Sequence, residues 1–138
     1  MLPELMLLGF AAWTLALLLT TVGAYRLSRV FSGRAGMSEF RADQVEGQDW
    51  YRRAMRAHAN CVENLPVFAV LVFALRVFGI ADPAVDALCV VILAARIPQS
   101  LVHVCFAQTD RVVSVRFALF FVQFLSFCAL IALIAFRH

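Results

Sequence analysis

The chain has no lysine. All of its twelve basic residues are arginines, and the formal charge is only +3. That charge is set in short clusters between apolar runs, too weak a field for nucleic acid to be a partner. CxxC spacing is also missing. The four cysteines, Cys61, Cys89, Cys105 and Cys128, each fall in or beside an apolar segment. Neither a disulfide framework nor a zinc site is indicated, no metal is expected, and all four are read as buried small hydrophobes. There is no internal repeat and no low-complexity tract, and 138 residues leave room for one domain only, taken as 1–138. The basic segment of a secretory signal is absent too. Glu4 is the only early charge, and the apolar run from Leu5 to Ala24 is long for a signal core.

Hydrophobic residues fill the space these absences leave. They make up 63% of the chain, and the mean hydropathy is +0.85. Crossing the hydrocarbon core of a bilayer takes about 20 apolar residues, and four segments meet that need: about 5–25, 57–78, 84–106 and 117–136. The chain is therefore expected to be all-α, an integral-membrane four-helix bundle. Spans two and three are joined by a short turn, "FGIADPAVD", broken at Gly79 and Pro83. The one long connection, about 26–55, is polar and of mixed charge, and is expected to be part helix and part loop. Arg26, Arg29, Arg34, Arg41, Arg52, Arg53 and Arg111 fall in the first and third connections, whereas the second offers only Asp82 and Asp86. The positive-inside rule places the first and third connections in the cytoplasm and both termini outside. Arg76 is expected to snorkel from the end of span two. The lysine-free, short chain points to a bacterial inner membrane.

The spans are not uniformly apolar. At about 100° per residue, Arg53, Arg56, Asn60 and Glu63 share one face of the second span, while His58 points about 160° away from Asn60. Arg96, Gln99, Ser100 and His103 form a stripe on the third span. Arg116 and Gln123 lie on the fourth, and Thr20, Thr21, Tyr25, Arg26 and Arg29 end the first. Taken singly, Arg26, Arg29, Arg52 and Arg53 read as headgroup anchors, Glu63 with Arg96 as an interhelical ion pair, and His103 as a helix contact. Pro66 and Pro98 read as kinks where polar groups satisfy the freed carbonyls. Such readings do not require four helices to place Arg, Asn, Glu, Gln and His at one depth, where each ionisable group costs about 2.5–3.5 kcal/mol to insert. Several arginines with one glutamate and one asparagine suit a small ligand with two carboxylates and an ammonium. An arginine beside a thiol would lower its pKa from about 8.5.

At these residues the chain resembles the MAPEG family, membrane-associated proteins of eicosanoid and glutathione metabolism. "RAHANCVEN", Arg56 to Asn64, matches the family's helix-two signature, and the match continues through "LPVF". "YRLSR" resembles the end of the family's helix one, "AARI" its helix three and "VRFALFFVQF" its helix-four start. The resemblance implies a homotrimer with glutathione as co-substrate between neighbouring subunits. It implies that Arg53, Arg56, Asn60 and Glu63 hold the tripeptide, with His58 reaching it from the adjacent subunit. Arg26 or Arg29 would contribute from helix one and His103 from helix three. Arg116 would stabilise the thiolate, with Arg111 as the second candidate. A lipophilic small molecule or lipid would be the second substrate. The family's helix-three tyrosines are missing, since Tyr25 and Tyr51 are the only tyrosines. The activity implied is glutathione-dependent transfer or peroxide reduction. The alternatives are a non-catalytic lipid-binding or scaffold trimer and, third, a small exporter, for which span one lacks a mid-membrane acid.

Overall fold

A computed structural model describes residues 1–40 and 47–137. Arg41, counted above among the basic residues of the first connection, lies outside the described residues. The described residues contain no strand and four long helices: α1 (Leu2–Phe31), α2 (Asp49–Val77), α3 (Pro83–Cys105) and α4 (Asp110–Arg137). Each is long and apolar enough to cross a membrane. At 1.5 Å per residue, the 29 residues of α2 reach about 43 Å against a hydrocarbon core of about 30 Å. Its polar first turns therefore extend past the apolar layer.

Two helices start earlier than hydropathy suggests. α2 begins at Asp49, where the acid sits in the first turn and its carboxylate takes Arg53 Nη1 at 3.1 Å, one turn on. α4 begins at Asp110, and Thr109 Oγ1 accepts from Val112 N–H at 3.3 Å. These turns are helical without being apolar. The first connection keeps helix to Phe31 and adds a 3₁₀ turn at Met37–Glu39.

α1 is not regular. Residues Leu18–Gly23 form a π-helical stretch, in which Ala24 N–H reaches back to Leu19 O. The extra residue rotates the last turns of α1 by roughly 100° about the helix axis. In that register Tyr25 stacks on Tyr51 of α2, ring centroids 4.2 Å apart. Nearby, Thr20 Oγ1 donates to Ala16 O at 2.7 Å and Thr14 Oγ1 to Phe10 O at 2.9 Å, so these hydroxyls are satisfied within α1. Pro66 and Pro98 both lie within continuous helices. Contrary to expectation, the side-chain bonds near them among the described residues go to Asn60 O and Arg96 O and not to the freed carbonyls of Val62 and Ala94.

The apolar core runs through the bundle as a phenylalanine ladder. Phe10 of α1 meets Phe68 of α2 edge-on at 5.8 Å, and Phe68 meets Phe127 of α4 at 6.1 Å. Cys89 and Ile92 of α3 and Leu130 of α4 are wholly buried around it. α1 and α3 approach closely at Gly9, where a Cβ would stand 2.9 Å from Leu93 Cδ2. The cysteines divide. Cys61 and Cys89 are buried as expected, but Cys105 and Cys128 are exposed, and all four are free. That corrects the uniform burial read from the sequence. An apolar neighbourhood along the chain does not say which face of a helix a residue occupies.

Candidate functional site

The polar residues of α2, α3 and α4 meet at one end of the bundle. α3 supplies the buried part. Arg96 is 1% exposed, with Gln99, Ser100 and His103 also buried. Its guanidinium lies over the Phe10 ring, 5.3 Å from the centroid, a favourable contact for a cation held away from water. Ser100 Oγ donates to Arg96 O at 2.9 Å, and Cys61 Sγ lies 3.4 Å from Ser100 Oγ. The serine proton is already spent on the carbonyl, so the Cys61 S–H is the donor in the second contact. A glutamine pair ties α3 to α4: Gln123 Nε2 donates to Gln99 Oε1 at 2.9 Å, and Gln99 Nε2 to the Arg116 carbonyl at 3.2 Å.

α2 supplies the outward-facing part. Arg53 Nη2 donates to Val104 O at 3.5 Å, bridging α2 to the end of α3. Arg56 and Glu63 are exposed and Asn60 is half-buried. Asn64 Nδ2 donates to Asn60 Oδ1 at 3.0 Å and to Asn60 O at 2.7 Å. A pocket of about 170 Å³ is lined by Asp49, Arg52, Arg53, Arg56 and Gln108. His58 is half-buried, its position two residues before Asn60 placing it on the other side of α2.

The electrostatics of this end are one-sided. His103 feels the charges of Arg116, Arg96 and Arg56, and Arg116 feels that of Arg56. Glu63 is the carboxylate whose charge reaches Arg96, but no ion pair joins them among the described residues, which corrects the pairing considered from the sequence. The buried atoms Arg53 Nε, Arg96 Nε, Arg96 Nη2, His103 Nδ1 and Arg116 Nε all lack a hydrogen-bond partner. Buried polar groups are normally paired, so these four side chains keep unspent hydrogen-bonding capacity at this end of the bundle. Arg116 is half-buried, while Arg111 is exposed in the first turn of α4. Among the described residues no group of three or more metal-ligating side chains forms.

Arg26 and Arg29 form a separate cluster on α1. Arg26 Nε donates to Tyr51 Oη at 2.9 Å, and its guanidinium lies over the Phe40 ring at 5.5 Å. Arg29 Nη1 donates to Tyr25 Oη at 3.3 Å. Trp50 meets Tyr25 edge-on at 5.4 Å, completing a box of three aromatic rings. Sequence reasoning placed Tyr25 near the site but missed Tyr51 and Trp50. Their only signal was position, within a turn of Arg53 and beside the polar start of α2. Arg96 and Gln99 were legible as members of the α3 stripe, but Arg96 was read only as an ion-pair partner of Glu63 and Gln99 was given no role.

The MAPEG family model matches residues 4–136. No curated protein and no solved structure matches the chain significantly.

Proposed function

The chain belongs to the MAPEG family, and from that premise we propose that it is a membrane-embedded, glutathione-dependent transferase or peroxidase acting on lipophilic electrophiles or lipid hydroperoxides. The observation that carries this reading is the group of buried, unpartnered guanidinium N–H donors on Arg53, Arg96 and Arg116. A ligand with two carboxylates and a thiolate supplies acceptors for such a set, and the exposed Glu63 supplies a nearby acceptor for its ammonium.

Glutathione, when bound, supplies the sulfur electron pair that forms the new bond to the electrophile. The protein's part is binding, orientation and charge. Arg53 and Arg56 hold carboxylates through charge-assisted hydrogen bonds, with Arg26 or Arg29 reaching in from α1. Asn60 and Glu63 take the amino end. His103 lines the inner wall. Arg116 stands where α4 enters the apolar layer, and its guanidinium stabilises the thiolate in a medium of low dielectric. Its half-burial, against the exposure of Arg111, supports the choice between them. Arg56 and Glu63 point outward from the protomer, so a second surface is needed to enclose the ligand. A homotrimer supplies it, with His58 contributed across the subunit boundary. The arginine-rich end faces the cytoplasm of a bacterial inner membrane, in keeping with the distribution of basic residues.

The test is a thiolate difference spectrum at pH 7, with detergent-purified protein titrated with glutathione. An opposite charge within reach lowers a pKa by about 1–3 units. A thiol brought from about 8.5 to about 6.5 is roughly 76% ionised at pH 7, against roughly 3% when unperturbed. Arg116→Ala should therefore cut the band about 25-fold, while Arg111→Ala keeps it. A wild-type-like band in Arg116→Ala removes Arg116 from the role. No band in the wild type would favour the non-catalytic, lipid-binding reading.

A further inference from the structure

The other end of the bundle has a site of its own. Between the start of α1, the last turns of α2 and the α2–α3 turn lies a pocket of about 350 Å³, walled by Val72, Leu75 and Ile80 and carrying Glu4, Arg76, Asp82 and Asp86. That volume is within the range of small-molecule sites. A second hollow, of about 420 Å³, is lined by Met1, Glu4, Leu5, Leu8 and Arg76. The two share Met1, Glu4 and Arg76, so the charged pocket and the apolar groove lie side by side. Leu5 and Leu8 are 53% and 66% exposed on the outer face of α1, where hydrocarbon chains pack in a membrane.

The charges in the pocket are unequally committed. Asp82 is spent: its Oδ1 accepts Ala84 N–H at 2.7 Å, capping α3, and its Oδ2 takes Arg137. Arg76 is held only loosely, 3.9 Å from Glu4, with its side chain 76% exposed. Glu4 also faces the Met1 amine at 2.9 Å. Asp86 takes part in no side-chain hydrogen bond or ion pair among the described residues. The uncommitted capacity is thus the Asp86 carboxylate and the loosely held Arg76 guanidinium, with Glu4 shared between Arg76 and the Met1 amine, at the mouth of an apolar groove.

We propose that this pocket binds a phospholipid with a phosphoethanolamine headgroup, the phosphate on Arg76, the ammonium between Glu4 and Asp86, and an acyl chain along Leu5 and Leu8. The mixed-sign lining offers nothing to a purely anionic headgroup that its carboxylates do not also repel. Carboxylates accept N–H bonds from a primary ammonium, which a quaternary choline cannot donate. The site is independent of glutathione binding at the opposite end.

Native mass spectrometry of the full-length protein in detergent tests the assignment, with dioleoyl phosphatidylethanolamine, phosphatidylcholine and phosphatidylglycerol added in turn. The ethanolamine lipid should bind at least about fivefold more tightly than either other. Arg76→Ala should weaken it about tenfold, and Glu4→Gln should erase its advantage over the choline lipid. Equal retention of the three lipids, tightest binding of phosphatidylglycerol, or unchanged binding in Arg76→Ala would each overturn the proposal. The wild-type ranking decides the matter even if a variant fails to fold.

Discussion

Cutting the glutamine bridge between α3 and α4 gives a stability change that can be worked from the geometry. The bridge has a fixed direction. The Arg116 and Leu119 carbonyls can only accept, so Gln99 Nε2 must donate to the first, at 3.2 Å, and Gln123 Nε2 to the second, at 2.9 Å. The remaining contact, Gln123 Nε2 to Gln99 Oε1 at 2.9 Å, joins the helices inside the apolar layer. Interhelical hydrogen bonds in membranes average about 0.6 kcal/mol and reach about 1.7. Leaving a buried partner unsatisfied costs about 1–3 kcal/mol. Gln123→Leu orphans Gln99 Oε1 but also removes Gln123 Oε1, which is itself buried without a partner. We therefore expect about 1 kcal/mol for Gln123→Leu and about 1–2 kcal/mol for Gln99→Leu, which also frees α4 at Arg116. The double variant should cost less than the sum by about 0.6–1.7 kcal/mol. Reversible unfolding in mixed detergent micelles measures all four corners of the cycle. A coupling within about 0.3 kcal/mol of zero would refute the bridge, because unconnected sites add.

Other perturbations probe separate parts of the molecule. Tyr51→Phe removes the acceptor of Arg26 Nε and should raise the KM for glutathione about three- to tenfold with kcat little changed, as expected for lost positioning in the ground state. Gly9→Ala brings a Cβ to 2.9 Å from Leu93 Cδ2, the movable end of a side chain, so it should cost under about 1 kcal/mol, while Gly9→Leu should cost about 1–3 by overpacking; thermal unfolding separates the two. The Ala84 amide bond and, after it, the Arg137 pairing hold the Asp82 carboxyl below its ordinary value of 3.8. A depressed carboxylate adds stability that is complete above its unfolded value and is lost as pH falls through its folded one. The Tm of the wild type should therefore drop below about pH 4 more steeply than that of Asp82→Asn, and parallel curves would show that Asp82 is not responsible.

The helix count, their order and the polar face of α2 were all legible in the residues. Each depends on something local: the length of an apolar run against the thickness of hydrocarbon, and the 3.6-residue period that aligns Arg53, Arg56, Asn60 and Glu63. Contacts between helices were not legible. The sequence put Arg96 and Glu63 within reach of an ion pair. Packing instead buried Arg96 over Phe10 and left Glu63 exposed, since the rotation of one helix against another is set by all the side chains between them. The π-helical stretch decided that Tyr25 meets Tyr51, and no periodicity in Leu18–Gly23 announces an inserted residue. Helix facing likewise exposed Cys105 and Cys128, whose neighbours in the chain are as apolar as those of the buried pair. The sequence by itself determined four helices long and apolar enough to cross a membrane, with most of their arginines toward one end. Only the tertiary structure decided which of those arginines bury atoms without hydrogen-bond partners, because burial depends on three-dimensional neighbours that a one-dimensional pattern does not contain.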